Sequence, residues 1–89
     1  MPHPIEAIMR EKLDKHFAPI HLEIMDDSHH HKGHSGAKAG GGTHYTLKLI
    51  SAQFKGLSRI KRHQAVHYVL AEELKTQVHA LVLHLDEPR

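Results

Sequence analysis

The residues best equipped for chemistry in this chain are its histidines. The stretch "SHHHKGHSGAKAGGGTH", Ser28 to His44, carries five of them within seventeen residues, and the whole 89-residue chain has twelve. Imidazole is the commonest metal ligand and binds through its neutral form. Its ordinary pKa of about 6.5 means that the formal net charge climbs steeply below neutral pH; it is only +2 with histidine neutral. There is no cysteine, so the chain offers no thiolate as nucleophile or ligand and no disulfide to staple its fold. A flexible histidine-rich segment also takes up nickel, copper or zinc adventitiously, because imidazole suits all three.

Two further groups of residues invite chemistry. "RIKRH" sets Arg59, Lys61, Arg62 and His63 at a helix start, with Lys55 just upstream. Cations and a helix N-terminus both attract phosphate, so this is a candidate nucleic-acid contact, although basic helix turns are usually solvated faces. Glu72 and Glu73 are neighbours on a helix and point about 100° apart, so they are not a catalytic acid pair; a solvated helix end is expected for both. The chain holds no phosphate loop, nucleophile elbow or H-E-x-x-H element, so no enzymatic activity is expected.

The elements that position these residues follow from periodicity. Pro4 suits a first helical turn. Ile5, Ile8, Met9, Leu13 and Phe17 then form an apolar stripe that Pro19 stops. "IHLEIM" alternates, with Ile20, Leu22 and Ile24 on one face and His21 and Glu23 on the other, and "HYTLKLI" alternates through Tyr45, Leu47 and Leu49. Two such strands most simply pair antiparallel. Residues 28–43 between them exceed the usual two to five residues of a tight hairpin, and a mobile loop is expected there. Ser58 is a good N-cap for a second helix with Val66, Leu70 and Leu74 on its buried stripe. His63 sits on or beside that stripe, as a partly buried, hydrogen-bonded residue. "VHALVLHL" reads as a short, largely buried strand, with His79 at its head and His84 structural. His3, His16, His21 and His67 have surface or packing roles.

Helix, strand, long loop, strand, helix, strand describes one α+β domain over residues 1–89, with helices covering one face of a three-stranded sheet. At 39% hydrophobic residues and 4% aromatic, the core must be small and aliphatic. No apolar run approaches the roughly 18 residues of a membrane span, and "MPHPIEAIMREKL" lacks a signal-peptide layout. A cytoplasmic protein is the expectation.

Read as one unit, "FKGLSRIKRHQAVHYVLAEELKTQVHAL" resembles the BolA family. The shared features are Phe54 and Gly56, Arg62-His63, Glu72-Glu73-Leu74 and His79-Ala80-Leu81 at this spacing. The resemblance extends over nearly the whole chain, the "DDS" strand end, the histidine loop and "THYTLKLIS" included. It implies a fold related to the class II KH domain. It also implies partnership with a monothiol glutaredoxin, and a 2Fe–2S cluster shared with that protein and glutathione. In such pairs one imidazole comes from the "VHAL" position, here His79, and another from the loop between the first two strands. The loop offers His29, His30, His31 and His34, and aligning from "DDS" favours His31. Members of the family often continue into a further helix after the third strand, so a partner surface using that helix would be reduced here. The isolated chain is expected to be a monomer or weak homodimer.

Two functions follow. One is an adaptor in iron–sulfur handling, whose mark is His79 with the loop histidines. Replacing two thiolates by two imidazoles on one iron raises a cluster's potential, so a cysteine-free chain can still complete such a site. The other is a DNA-binding regulator using Lys55, Arg59, Lys61, Arg62 and His63. Against it stand the lack of a G-x-x-G loop with basic flanks and the scarcity of stacking aromatics.

Overall fold

The computed structural model describes residues 4–28 and 42–89. In chain order these form helix α1 (Pro4–Phe17), strands β1 (His21–Asp26) and β2 (His44–Ile50), a 3-10 turn (Ala52–Phe54), helices α2 (Arg59–Val69) and α3 (Ala71–Thr76), and strand β3 (Ala80–Asp86). The sheet order is β1-β2-β3. β1 runs antiparallel to β2, with Leu22 opposite Leu49 and Ile24 opposite Leu47. β3 runs parallel to β2, with Leu47 opposite Leu83.

The α+β architecture expected from the pattern is present, and the core lies where the alternation and the helical stripes put it. Ile5, Met9, Leu13 and Phe17 of α1 bury against Tyr45, Leu47 and Leu49 of the central strand, together with Phe54, Val66, Leu70 and Val78. Four-residue spacing keeps those α1 side chains on one helical face. Ile8 falls off that line and stays 44% exposed. Ile20, expected on the buried face of the first strand, is instead 69% exposed at the corner where the chain leaves α1. There Ala18 takes a positive φ of 42° and its N–H caps Asp14 O at 3.0 Å, while Pro19 has no N–H with which to extend the helix.

Three further expectations change. The second helix is not continuous: at Leu70 the backbone opens to φ −101°, ψ 20°, dividing it into α2 and α3. Ser58 caps α2 as expected, its Oγ accepting from Lys61 N at 3.2 Å. β3 is half-exposed rather than largely buried. Its outward set Ala80, Val82 and His84 is exposed, because helices cover only one sheet face. His84 therefore stands on the open face and not in a packed structural role. The third change concerns Glu73, which is buried at 5% exposure and receives Lys12 Nζ at 2.7 Å, tying α3 to α1. A helix end expected to be solvated thus contains a buried carboxylate, because Lys12 of α1 reaches across to pair with it.

Between β2 and α2, Ser51 Oγ donates to Phe17 O at 2.6 Å and accepts from Gln53 N at 3.1 Å. The rings of Phe17 and Phe54 stand 5.1 Å apart at 44°. The turn after Phe54 needs Gly56 at φ 82°, although a Cβ there would meet nothing within 4 Å. Left-handed backbone costs an L-residue roughly 1–2 kcal/mol. Gly56→Ala is therefore expected to lower unfolding free energy by about 1 kcal/mol in urea titration. Unchanged stability would refute the backbone argument, since sterics contribute nothing at this position.

Candidate functional site

Because β3 is parallel to β2 and β1 antiparallel to it, the end of β1 and the starts of β2 and β3 meet at one edge of the sheet. His44 opens β2 opposite Ala80, and His79 immediately precedes β3. Their rings stand 6.3 Å apart, tilted by 34°. His79 is exposed and His44 half-buried. The turn leading into His79 is fixed by Glu73 O, which accepts from Gln77 N at 3.0 Å and Val78 N at 2.8 Å, and by the buried side chain of Val78. His79 N then donates to Thr43 O at 2.7 Å, and Ala80 N to the same carbonyl at 3.2 Å.

The base of the histidine-bearing segment is built beside this pair. Asp26 accepts from Ser28 N on Oδ1 at 2.9 Å and from Gly42 N on Oδ2 at 3.0 Å, so one carboxylate bridges both stems. Ser28 Oγ, almost wholly buried, accepts from Thr43 N at 2.9 Å and His44 N at 3.1 Å. Thr43 Oγ1 lies 2.9 Å from His44 Nδ1. His29, His30, His31 and His34, the loop candidates, lie outside the described residues. His44 was not singled out as a ligand because it reads as the first residue of a strand. The signal that finds it is tertiary: the parallel register that sets it beside His79.

The pair fits a shared metal centre. Two imidazoles on one ion, with metal–nitrogen bonds of about 2 Å, have centroids roughly 5–6 Å apart, close to the 6.3 Å observed here. Among the described residues no third His, Cys, Asp or Glu joins them to complete a metal-holding group. Two imidazoles fill half of a tetrahedral sphere, so the other ligands must come from elsewhere.

Under this edge, Tyr45 faces Asp26 across the strands. Burial first, then the carboxylates of Asp26 and Glu6, push its phenol well above the ordinary value of 10.0. The neutral phenol is thus favoured in the folded state. Its stabilising effect is complete below the unfolded pKa of about 10 and is lost as pH rises beyond it. Tyr45→Phe is expected to flatten the fall in stability between pH 9 and roughly 11.5, measured by denaturant titration at each pH. An equally steep fall in the variant would exclude Tyr45 as its source.

The basic residues are elsewhere. Lys55, Arg59 and Lys61 are exposed and His63 half-buried around the start of α2. Arg62 contacts Leu85 and Glu87 at the far end of β3, so this group lies about 20 Å along the strand from His79. Arg62 itself is not available as a nucleic-acid contact. Its side chain, 15% exposed, donates from Nε to Leu57 O at 3.0 Å and pairs with Glu87 at 3.3 Å and Asp86 at 3.7 Å. His63 is partly buried as expected but makes no side-chain hydrogen bond among the described residues. On the open sheet face, His21 pairs with Glu23 at 3.1 Å, and this bond, with Lys48 nearby, holds the Glu23 carboxyl below its ordinary range.

Fold and edge together define a class: a small α+β domain of three helices on a three-stranded mixed sheet, presenting two imidazoles at one sheet end. Comparison with known proteins agrees. A family model described as BolA-like protein matches residues 13–89, and the chain belongs to that family. Protein BOLA1, chloroplastic, of Arabidopsis thaliana is 45% identical over 75 residues, 82% of this chain and 47% of the relative. The DNA-binding transcriptional regulator BolA of Escherichia coli (strain K12) is 41% identical over 80 residues, covering 90% of this chain and 72% of that protein. The solved BolA domain of SufE1 from Arabidopsis thaliana matches with TM-score 0.88 at 36% identity, covering 99% of this chain and 96% of that one. The chain thus spans less than half the length of the chloroplast relative. Among the described residues, no helix is long and apolar enough to cross a membrane.

Proposed function

We propose that this chain is a non-enzymatic adaptor in iron–sulfur handling. It binds a monothiol glutaredoxin and supplies imidazole ligands to a 2Fe–2S cluster shared with that protein and glutathione. The observation that carries the reading is the His44–His79 pair, 6.3 Å between centroids, at an accessible sheet end. The cluster, when held, supplies one-electron and iron-exchange chemistry; histidine ligation tunes its potential upward. The chain's own part is to orient the two rings and to offer nitrogen donors where it has no sulfur. His79 is one ligand. His44 is the second, and His31, His29 and His34 are the alternatives that the family resemblance suggests.

The test is a visible absorption and circular-dichroism titration of cluster-loaded monothiol glutaredoxin with this chain at neutral pH. A spectral change saturating near equimolar addition is expected, and His79→Ala should suppress it. A wild-type spectrum indistinguishable from glutaredoxin alone would overturn the reading. Replacing His29, His30, His31 and His34 together should leave most of the change, whereas His44→Ala should remove it. The reverse pattern would move the second ligand to the loop.

A second reading, DNA binding, is favoured by the name of the Escherichia coli relative and by the exposed Lys55, Arg59 and Lys61. It requires duplex affinity that falls linearly with salt on logarithmic axes. Charge reversal of Arg59 and Lys61 must reduce that slope; an unaffected slope would reject the basic helix start as the contact.

A further inference from the structure

Resting on the reading of His44 and His79 as ligands, we infer that Thr43 is the positioning residue that aligns both. It hydrogen-bonds to the backbone of one and lies against the ring of the other. Its carbonyl receives His79 N at 2.7 Å and Ala80 N at 3.2 Å, fixing the backbone from which the His79 ring projects. Its hydroxyl lies 2.9 Å from His44 Nδ1, fixing the rotation of the other ring. Thr43 is itself wholly buried, so water does not compete for these bonds. Its place is held by Ser28 Oγ, which accepts from Thr43 N at 2.9 Å and from Thr43 Oγ1 at 3.1 Å, and Ser28 N is anchored on Asp26.

This arrangement selects the nitrogen that meets a metal. With Nδ1 committed to Thr43, His44 meets an ion through Nε2. In the bound state Nδ1 carries the ring proton and donates to Thr43 Oγ1. An outer partner of this kind fixes tautomer and ring direction, and losing it typically costs 10–100-fold in metal affinity. Threonine suits the position for two separable reasons: the methyl fills buried space and the hydroxyl holds the ring. Valine keeps the first and removes the second; serine does the opposite.

The experiment uses the full chain with His29, His30, His31 and His34 replaced by asparagine, and Co(II) alone as the probe, followed by its visible d–d bands. Thr43→Val is expected to weaken Co(II) binding roughly 10–100-fold, and Thr43→Ser to restore it. Nitrogen-15 spectra of the metal-free chain should show one dominant His44 tautomer in the parent and in Thr43→Ser, and a mixture in Thr43→Val. The Zn(II)-loaded parent adds a measurement that no folding defect can confuse: His44 Hδ1 should be visible and slow to exchange. Parent-like Co(II) affinity in Thr43→Val, or a fast-exchanging Hδ1 in the zinc-loaded parent, overturns the role of Thr43. If His44→Ala and His79→Ala each leave Co(II) binding unchanged, the ligand reading itself fails, and the two failures are thereby told apart.

Discussion

Urea denaturation of Lys12→Ala is expected to show a loss of about 3 kcal/mol, a large share of the roughly 5–15 kcal/mol that stabilises a domain. The cause is the acid left behind. Glu73 has a side chain only 7% exposed, and its Oε2 takes the ammonium of Lys12 at 2.7 Å. Its Oε1 is buried with no hydrogen-bond partner among the described residues. Removing Lys12 leaves both oxygens in an apolar setting between α1 and α3, whereas the alanine itself sacrifices little packing. Because Lys12 is about one-third exposed, the lower end of the usual 3–5 kcal/mol for breaking a buried pair applies. Replacing both partners, Lys12→Met with Glu73→Leu, should recover most of the loss, since neither desolvated charge then remains. If the double variant is as unstable as the single one, the loss comes from α1 packing and not from the stranded carboxylate.

Arg62→Ala is expected to cost about 2 kcal/mol, with Arg59→Ala and Lys61→Ala near neutral. The ion pairs of Arg62 with Asp86 and Glu87 contribute little, because both carboxylates are more than one-third exposed and screened by water. The larger part comes from charged hydrogen bonds to backbone carbonyls: Nε to Leu57 O at 3.0 Å and a longer one to Leu85 O at 3.4 Å. These fasten the start of α2 to the end of β3, and Leu57 O sits in the turn before the helix. Thermal or urea unfolding of the three variants checks the ranking. Equal, near-zero effects at all three positions would show that the guanidinium is an ordinary surface group. If Arg62→Ala is destabilised as expected, a loss of DNA affinity in that variant alone is damage to the fold and not a missing phosphate contact.

Several features were legible because they depend on local chemistry. Proline at position 4 and position 19 brackets α1, Ser58 caps α2, and period-two alternation marks Tyr45, Leu47 and Leu49 as core. His79 was legible as a ligand candidate through the family resemblance, and its exposure fits that role. Glu73 was misjudged because a helix end is solvated unless another element covers it, and the covering helix lies 61 residues earlier in the chain. Arg62 was misjudged for a related reason: its acceptors at Leu85 and Glu87 are 23 and 25 residues away. The division of the second helix at Leu70 leaves no trace in composition, since Leu is a good helix former.

What the sequence by itself determined was the inventory and the local geometry: imidazoles without thiols, the limits of α1 and the start of α2, the faces of the strands, an α+β architecture. What only the tertiary structure decided was adjacency. A strand's pattern fixes which side chains share a face but not the direction of its neighbour. It is the parallel pairing of β3 with β2 that sets His44 beside His79. The same pairing carries the basic start of α2 to the opposite end of the sheet, because hydrogen bonds between distant strands, not local propensity, fix that register.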